Sequence, residues 1–381
     1  MRISPVLEGL RTYPFVRLTD AKRELTARGV PVIDFGVGEP REETPAFIRQ
    51  ALANAIEPLS TYPLAEGLPE LREAVAAWCG RRFGVALDPA TQVVPTLGSK
   101  EAVFHLAQVV AGDLVAVTAP GYPVAARGAA FAGKGVVELP LRARRGFLPD
   151  LDAVPAQTWA RVAVLWLNYP NNPTAATAPP ELYERAAALA REHDFVLASD
   201  EAYSELWFGA SPPVSALQVA DLRNVAVLNT LSKRSSMPGY RSGFVAGDPD
   251  VVAALKRYRP NVGVAPQAFV QRAAAAAWAD DEHVIAVRDR YRAKREALLP
   301  ALEDAGLRHV GGDATFFLWL TAPEGAAQRL LERGVIVAPG SFFGAGGEGY
   351  LRLALVPTPE QCAQAADIVR EALTDSRAAP R

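Results

Sequence analysis

Four short apolar runs in the middle of the chain each end beside a residue type that can do chemistry. Leu114–Thr118 is followed by Ala119-Pro120-Gly121-Tyr122-Pro123. Val162–Leu167 leads into Asn168 and then Asn172-Pro173-Thr174. Phe195–Ala198 is followed by Ser199 and Asp200, with Tyr203 close behind. Val225–Leu228 runs into Asn229, Thr230, Leu231, Ser232 and Lys233. These runs are short and β-branched enough to be buried strands. In open parallel sheets, ligands bind beyond the carboxyl ends of the strands. An aromatic ring, an amide, a carboxylate with a phenol, and an amine are therefore expected along one sheet edge.

Pyridoxal 5′-phosphate (PLP) catalysis needs this set. A lysine amine forms a Schiff base with the cofactor aldehyde. An acid keeps the pyridine nitrogen protonated, so that the ring acts as an electron sink. A phenol and an amide beside the ring oxygen tune the Schiff base, and an aromatic ring stacks on the pyridine face. The phosphate needs backbone amides at a helix start and a cation. Each residue has an ordinary alternative: a surface lysine, an Asn-Pro turn, an Asp or Ser helix cap. Four such groups at four strand ends outweigh those alternatives.

The elements that must position these groups alternate along the chain. Helical patterns at Leu71–Cys79, Glu101–Val110 and Glu181–His193 separate the apolar runs, and Phe244–Ala246 reads as a further strand. Alternation of this kind predicts an α/β fold with a mostly parallel sheet flanked by helices. A long helix is expected from about His283 to Ala305. Beyond it, strands at Phe316–Leu320, Val335–Val337 and Leu351–Val356 interleave with helices at about Glu324–Arg333 and Pro359–Leu373, a smaller α+β unit. The segment before Asp34 has no strand-rich core and is expected to pack on that unit. The division is thus a large domain over 40–282 and a small one made of 1–39 with 283–381.

Composition narrows the field. The 381 residues are 50% apolar with a net charge of −2, which suits a globular protein and points to neither nucleic acid nor membrane. The two cysteines, Cys79 and Cys362, form no CxxC pair, and the four histidines show no metal-ligand spacing. No metal is expected. The opening residues lack the apolar core of a signal peptide, and no stretch reaches the roughly 18 apolar residues of a membrane span. A reducing, cytoplasmic compartment is the expectation.

The chain resembles the fold-type I, class I/II aminotransferases of the aspartate aminotransferase superfamily over nearly its whole length. The resemblance rests on Asp34-Phe35-Gly36-Val37-Gly38-Glu39-Pro40, Tyr62-Pro63, Gly67-Leu68-Pro69-Glu70-Leu71-Arg72, and Gly98-Ser99-Lys100-Glu101. It continues through Asn172-Pro173-Thr174, Asp200-Glu201-Ala202-Tyr203, Ser232-Lys233 with Arg241, and Tyr350-Leu351-Arg352-Leu353. It implies that Lys233 carries PLP and shuttles the proton from the substrate Cα. Asp200 would pair with the pyridine nitrogen, Tyr203 and Asn172 with the ring hydroxyl, and Tyr122 would stack on the ring. Ser99, Lys100, Thr230, Ser232 and Arg241 would hold the phosphate. Tyr62 would reach the phosphate of the neighbouring subunit, because the family builds its sites across a homodimer. Arg352 would clamp the substrate α-carboxylate against the backbone of Gly38, with Asn172 nearby. One departure is Ala175, where the family usually has glycine.

Segments around Leu231–Asp248, Gly98–Phe104 and Pro339–Phe343 resemble the N-succinyldiaminopimelate aminotransferases. That resemblance implies ping-pong exchange of an amino group between N-succinyl-LL-2,6-diaminopimelate and 2-oxoglutarate, with glutamate as partner. The alternatives are an aminotransferase for aspartate or another amino acid, or a PLP-dependent carbon–sulfur lyase. Arg127, Arg234 and Arg259 are candidate cations for the distal carboxylates of a long substrate.

Overall fold

A computed structural model describes residues 1–9, 14–59 and 61–374. After a short strand β1 (Ile33–Asp34), seven strands form the main sheet. They are β2 (Val93–Thr96), β3 (Leu114–Ala119), β4 (Gly135–Pro140), β5 (Val162–Asn168), β6 (Val196–Asp200), β7 (Val225–Thr230) and β8 (Gly243–Gly247). Their order across the sheet is β2-β8-β7-β6-β5-β3-β4. The pairs from β4 through β7 are parallel, and β8 runs antiparallel to both its neighbours. Every residue of β6 and β7 is buried, as expected for strands covered on both faces.

The expected helices are present with longer bounds. Pro69–Phe83 starts on a proline at its first turn and stops at Gly84, whose φ of 73° suits glycine. Pro180–His193 begins the same way and ends on a left-handed Asp194. Ser99–Val109 follows directly on Gly98. The long helix runs Glu282–Asp304 and packs on Pro359–Thr374.

Later in the chain come β9 (Arg308–His309), β10 (Phe317–Thr321), β11 (Val335–Ile336), β12 (Ala338–Pro339) and β13 (Tyr350–Ala354). The antiparallel sheet β12-β13-β10-β9 carries Arg352 on its second strand. The strand expected at Val335–Val337 is present as β11, ending at Ile336, and one residue later β12 begins in a different sheet. β11 pairs in parallel with β1, while β12 pairs with β13. The chain before Gly36 is thereby tied to the C-terminal part. Phe15, which opens the Phe15–Ala27 helix, also meets Phe342 and Phe343 edge-on.

Candidate active site

The strands ending in the chemistry-bearing residues, β3, β5, β6 and β7, are neighbours in the sheet. They are not consecutive in the chain, because β4 intervenes and passes to the outside edge. A cavity of about 270 Å³ opens over their carboxyl ends. Tyr122, Asn172, Asp200, Tyr203, Thr230, Ser232 and Lys233 all line it. So do Ser99, Lys100 and Arg241 on one side, and Gly38 and Arg352 on the other.

Lys233 lies just past β7, and its Nζ donates to the carbonyl of Gly38 at 2.7 Å. Burial pushes its pKa down from 10.5 to about 8, with the positive charge of Arg352 adding to the effect. Such an amine is nearer neutrality than a surface lysine and so a better base and nucleophile. Asp200 closes β6 and is buried. Burial raises its pKa from 3.8 to about 6, partly opposed by the Ala202 N–H and the charge of Lys233. Its Oδ1 has no hydrogen-bond partner among the described residues. A buried carboxylate oxygen left open beside a cavity suits a protonated ring nitrogen.

The phosphate end is built on a turn. Gly98 has φ 70°, and a Cβ there would lie 2.4 Å from the Arg241 guanidinium. Glycine therefore lets Arg241 pass close to the start of the Ser99–Val109 helix. Arg241 donates to the carbonyls of Leu97 at 3.0 Å and Pro238 at 2.9 Å. The Lys100 amine is held below its ordinary pKa by burial and by the charges of Arg241 and Arg127. Several cations at a helix N-terminus form a ready anion site. Thr230 caps the next turn, with its Oγ 2.9 Å from the Ser232 Oγ.

Across the cavity, Arg352 is buried at 3% exposure. It donates to Asn172 Oδ1 at 2.9 Å and to the Gly36 carbonyl at 2.7 Å. Its guanidinium sits 4.2 Å from the ring centre of Phe317, 4.6 Å from Phe343 and 5.3 Å from Phe15. A cation so buried, ringed by aromatic faces, is a strong receptor for a carboxylate. Asn172 follows the Asn168 turn, and its neighbour Ala175 adopts φ 60°, the backbone that glycine usually takes. The Ala175 N–H still bonds the Asn171 carbonyl at 2.8 Å, so the turn survives without glycine.

Two of the three candidate distal cations are corrected. Arg234 lies against the paired rings of Trp78 and Trp278 and donates to Asp281 and the Ala277 carbonyl. Arg259 is buried against Glu101 at 2.9 Å and reaches the Ala65 carbonyl. Both are buried cations engaged by these partners, and neither lines the cavity. Arg127 lies near Lys100 without lining the cavity. Tyr62 is fully exposed and also lies off this cavity. Phe15, Phe317, Phe343 and Asn168 line the cavity but carried no signal as site residues. Phe317 read as part of a strand, and Asn168 as the first residue beyond one.

The sequence profile of the class I and II aminotransferases matches residues 30–369. The chain belongs to this family. It is a PLP-dependent aminotransferase, and the open Asp200 oxygen, the Lys233 amine and the cationic helix start fit that cofactor. Among family members it is 40% identical to the LL-diaminopimelate aminotransferase of Aquifex aeolicus, over 96% of this chain and 97% of that protein. It is also similar to the structure of a probable N-succinyldiaminopimelate aminotransferase from Thermus thermophilus. That match has TM-score 0.87 and 35% identity, covering 94% of this chain and 100% of that one. The Thermus thermophilus aspartate aminotransferase with maleate matches with TM-score 0.89 and 31% identity, covering 98% and 100%. Among the described residues, no helix is long and apolar enough to cross a membrane.

Proposed function

We propose that the enzyme transfers the amino group of a diaminopimelate-class amino acid to 2-oxoglutarate. The observation that carries the transamination reading is the juxtaposition of Lys233, Asp200 and the buried Arg352 around one cavity. When bound, PLP supplies the electron sink for the carbanion formed at the substrate Cα. Arg352 holds the α-carboxylate through its guanidinium fork, with Asn172 and the backbone near Gly38 beside it. A substrate so held would present its Cα–H within the cavity that Lys233 also lines. The Lys233 amine would remove that proton and return it. Asp200 keeps a proton at the pyridine nitrogen. Tyr203 and Asn172 would donate to the ring oxygen, and Tyr122 would cover the ring face. Ser99, Lys100, Thr230, Ser232 and Arg241 hold the phosphate, completed by Tyr62 of a second copy in a homodimer.

We assign residues 40–282 to a large cofactor-binding domain and 1–39 with 283–381 to a small domain bearing Arg352. A cytoplasmic biosynthetic enzyme is the setting that agrees with this reading. The flanking segments favour the N-succinylated donor. The 40% identity to an LL-diaminopimelate aminotransferase moves the first choice to the unblocked amino acid. The succinylated compound stays as second reading, supported by the Thermus thermophilus neighbour. Glutamate formation from 2-oxoglutarate, measured with each donor and with aspartate, separates them. The higher kcat/KM is expected for LL-diaminopimelate. A preference for the succinylated form reverses the order, and a preference for aspartate sinks both.

A further inference from the structure

Asn168 was not singled out for a role in the chemistry, yet its side chain lies between two groups that were. It ends β5 directly opposite Asp200, which ends β6. Its Nδ2 donates to the Asp200 carbonyl at 2.8 Å. Its Oδ1 accepts from the Asn172 backbone N–H at 2.9 Å. Its own carbonyl accepts from Asn171 Nδ2 at 3.1 Å. Asn172 in turn accepts from Arg352, which also donates to the Gly36 carbonyl. A continuous line of hydrogen bonds thus runs from the end of β6 across the cavity to Arg352 and the chain beyond β1.

Only a side chain with one donor and one acceptor, held a fixed distance apart, can close the middle of that line. A carboxylate would set oxygen against oxygen at Asp200. A hydroxyl is too short to reach both partners. The orientation of the next amide is fixed as well. Arg352 can only donate, so the Asn172 oxygen faces Arg352 and its NH₂ group faces the opposite way.

We propose that Asn168 is a positioning residue that sets the distance and angle between Asp200 and Asn172, and so aims the Asn172 amide at the cofactor ring oxygen while holding Arg352 in register. This deepens the reading of the same site and rests on the roles given there to Asn172 and Asp200. It makes Asn168 an indirect contributor, one that acts through Asn172.

The test uses the PLP-loaded enzyme and the pH titration of its visible absorbance, alongside kcat and KM with glutamate. An amide aimed at the ring oxygen stabilises negative charge there, so its misalignment raises the titration midpoint. Asn168→Ala is expected to raise it by about half to one pH unit, the worth of one hydrogen bond. It is also expected to lower kcat/KM by up to about 100-fold through misplacement. Asn172→Ala should raise the midpoint too, and the double variant should shift little beyond Asn172→Ala alone. An additive double variant overturns action through Asn172. An unmoved Asn168→Ala beside a shifted Asn172→Ala overturns the positioning role alone. An unmoved Asn172→Ala overturns the role of Asn172 and this inference with it. Should Asn168→Ala fail to fold, Asn168→Ser, which keeps a polar group but reaches neither partner, carries the same comparison.

Discussion

Lys233 and Asp200 are ionisable groups displaced in opposite directions by the same cause, burial. Both shifts move protonation toward the neutral form, and both leave the group usable near neutral pH. Asp200→Asn should retain PLP but lower kcat at least about 100-fold, because an amide cannot hold the ring-nitrogen proton. The same change should alter stability with a defined sign. A carboxyl raised from 3.8 to about 6 is protonated more readily folded than unfolded. Its stabilising contribution is complete below about 3.8 and is lost as pH rises through about 6. The apoprotein of Asp200→Asn should therefore gain melting temperature over wild type at pH 7 and little at pH 4. Arg352→Lys should raise KM for amino acid and oxo acid alike by about 10- to 100-fold, the loss of one charged hydrogen bond. Residues at strand ends were legible because the sheet edge concentrates chemistry. Phe15 and Phe343 were not, since no local pattern announces that a guanidinium from β13 will settle among their rings.

At the scale of elements, the Gly98 turn and the Ser99–Val109 helix form one device. Glu101 reaches back to the Leu97 N–H at 2.8 Å, and Arg241 takes the Leu97 carbonyl. Gly98→Ala puts a methyl where the guanidinium passes and strains a backbone at φ 70°. Its expected effect is a PLP dissociation constant raised about tenfold or more, with a smaller change in apoprotein melting. Behind this turn, Arg259 and Glu101 form a buried pair. Burial pushes the Glu101 carboxyl up, but His105 and Arg259 outweigh it and hold the pKa below its ordinary value. Removing one partner leaves the other charge stranded, so Arg259→Met should cost about 3–5 kcal/mol in denaturant unfolding. An unchanged midpoint would contradict that placement.

Helices and central strands were readable from period and apolar runs, and their bounds shifted by a few residues. β2 and β4 were not. β2 is four residues long with a proline inside it, and β4 is an edge strand whose side chains are mostly exposed. Neither carries the continuous apolar run of a strand buried on both faces. The reversed direction of β8 and the passage of the chain from β11 in one sheet to β12 in another depend on long-range pairing.

Over the whole molecule, three buried groups give the apoprotein an unusual dependence on pH. Asp200 and Glu201, the latter raised from 4.5 to about 7 by burial, lower stability as pH rises through those values. Lys233 acts above them. Its amine is neutral above about 8 when folded but only above about 10.5 when unfolded, so its burial cost fades across that window. Lys233→Met apoprotein should melt higher than wild type at pH 7, with the difference shrinking as pH approaches 10. The same lysine offers the most direct test of the account. The enzyme loaded with PLP is reduced with borohydride, digested, and its peptides weighed. The prediction is a pyridoxyl group on the peptide containing Lys233, absent when glutamate is added before reduction and restored when 2-oxoglutarate follows. A pyridoxyl group on another lysine, or none on a folded protein that binds PLP, would contradict the assignment of Lys233.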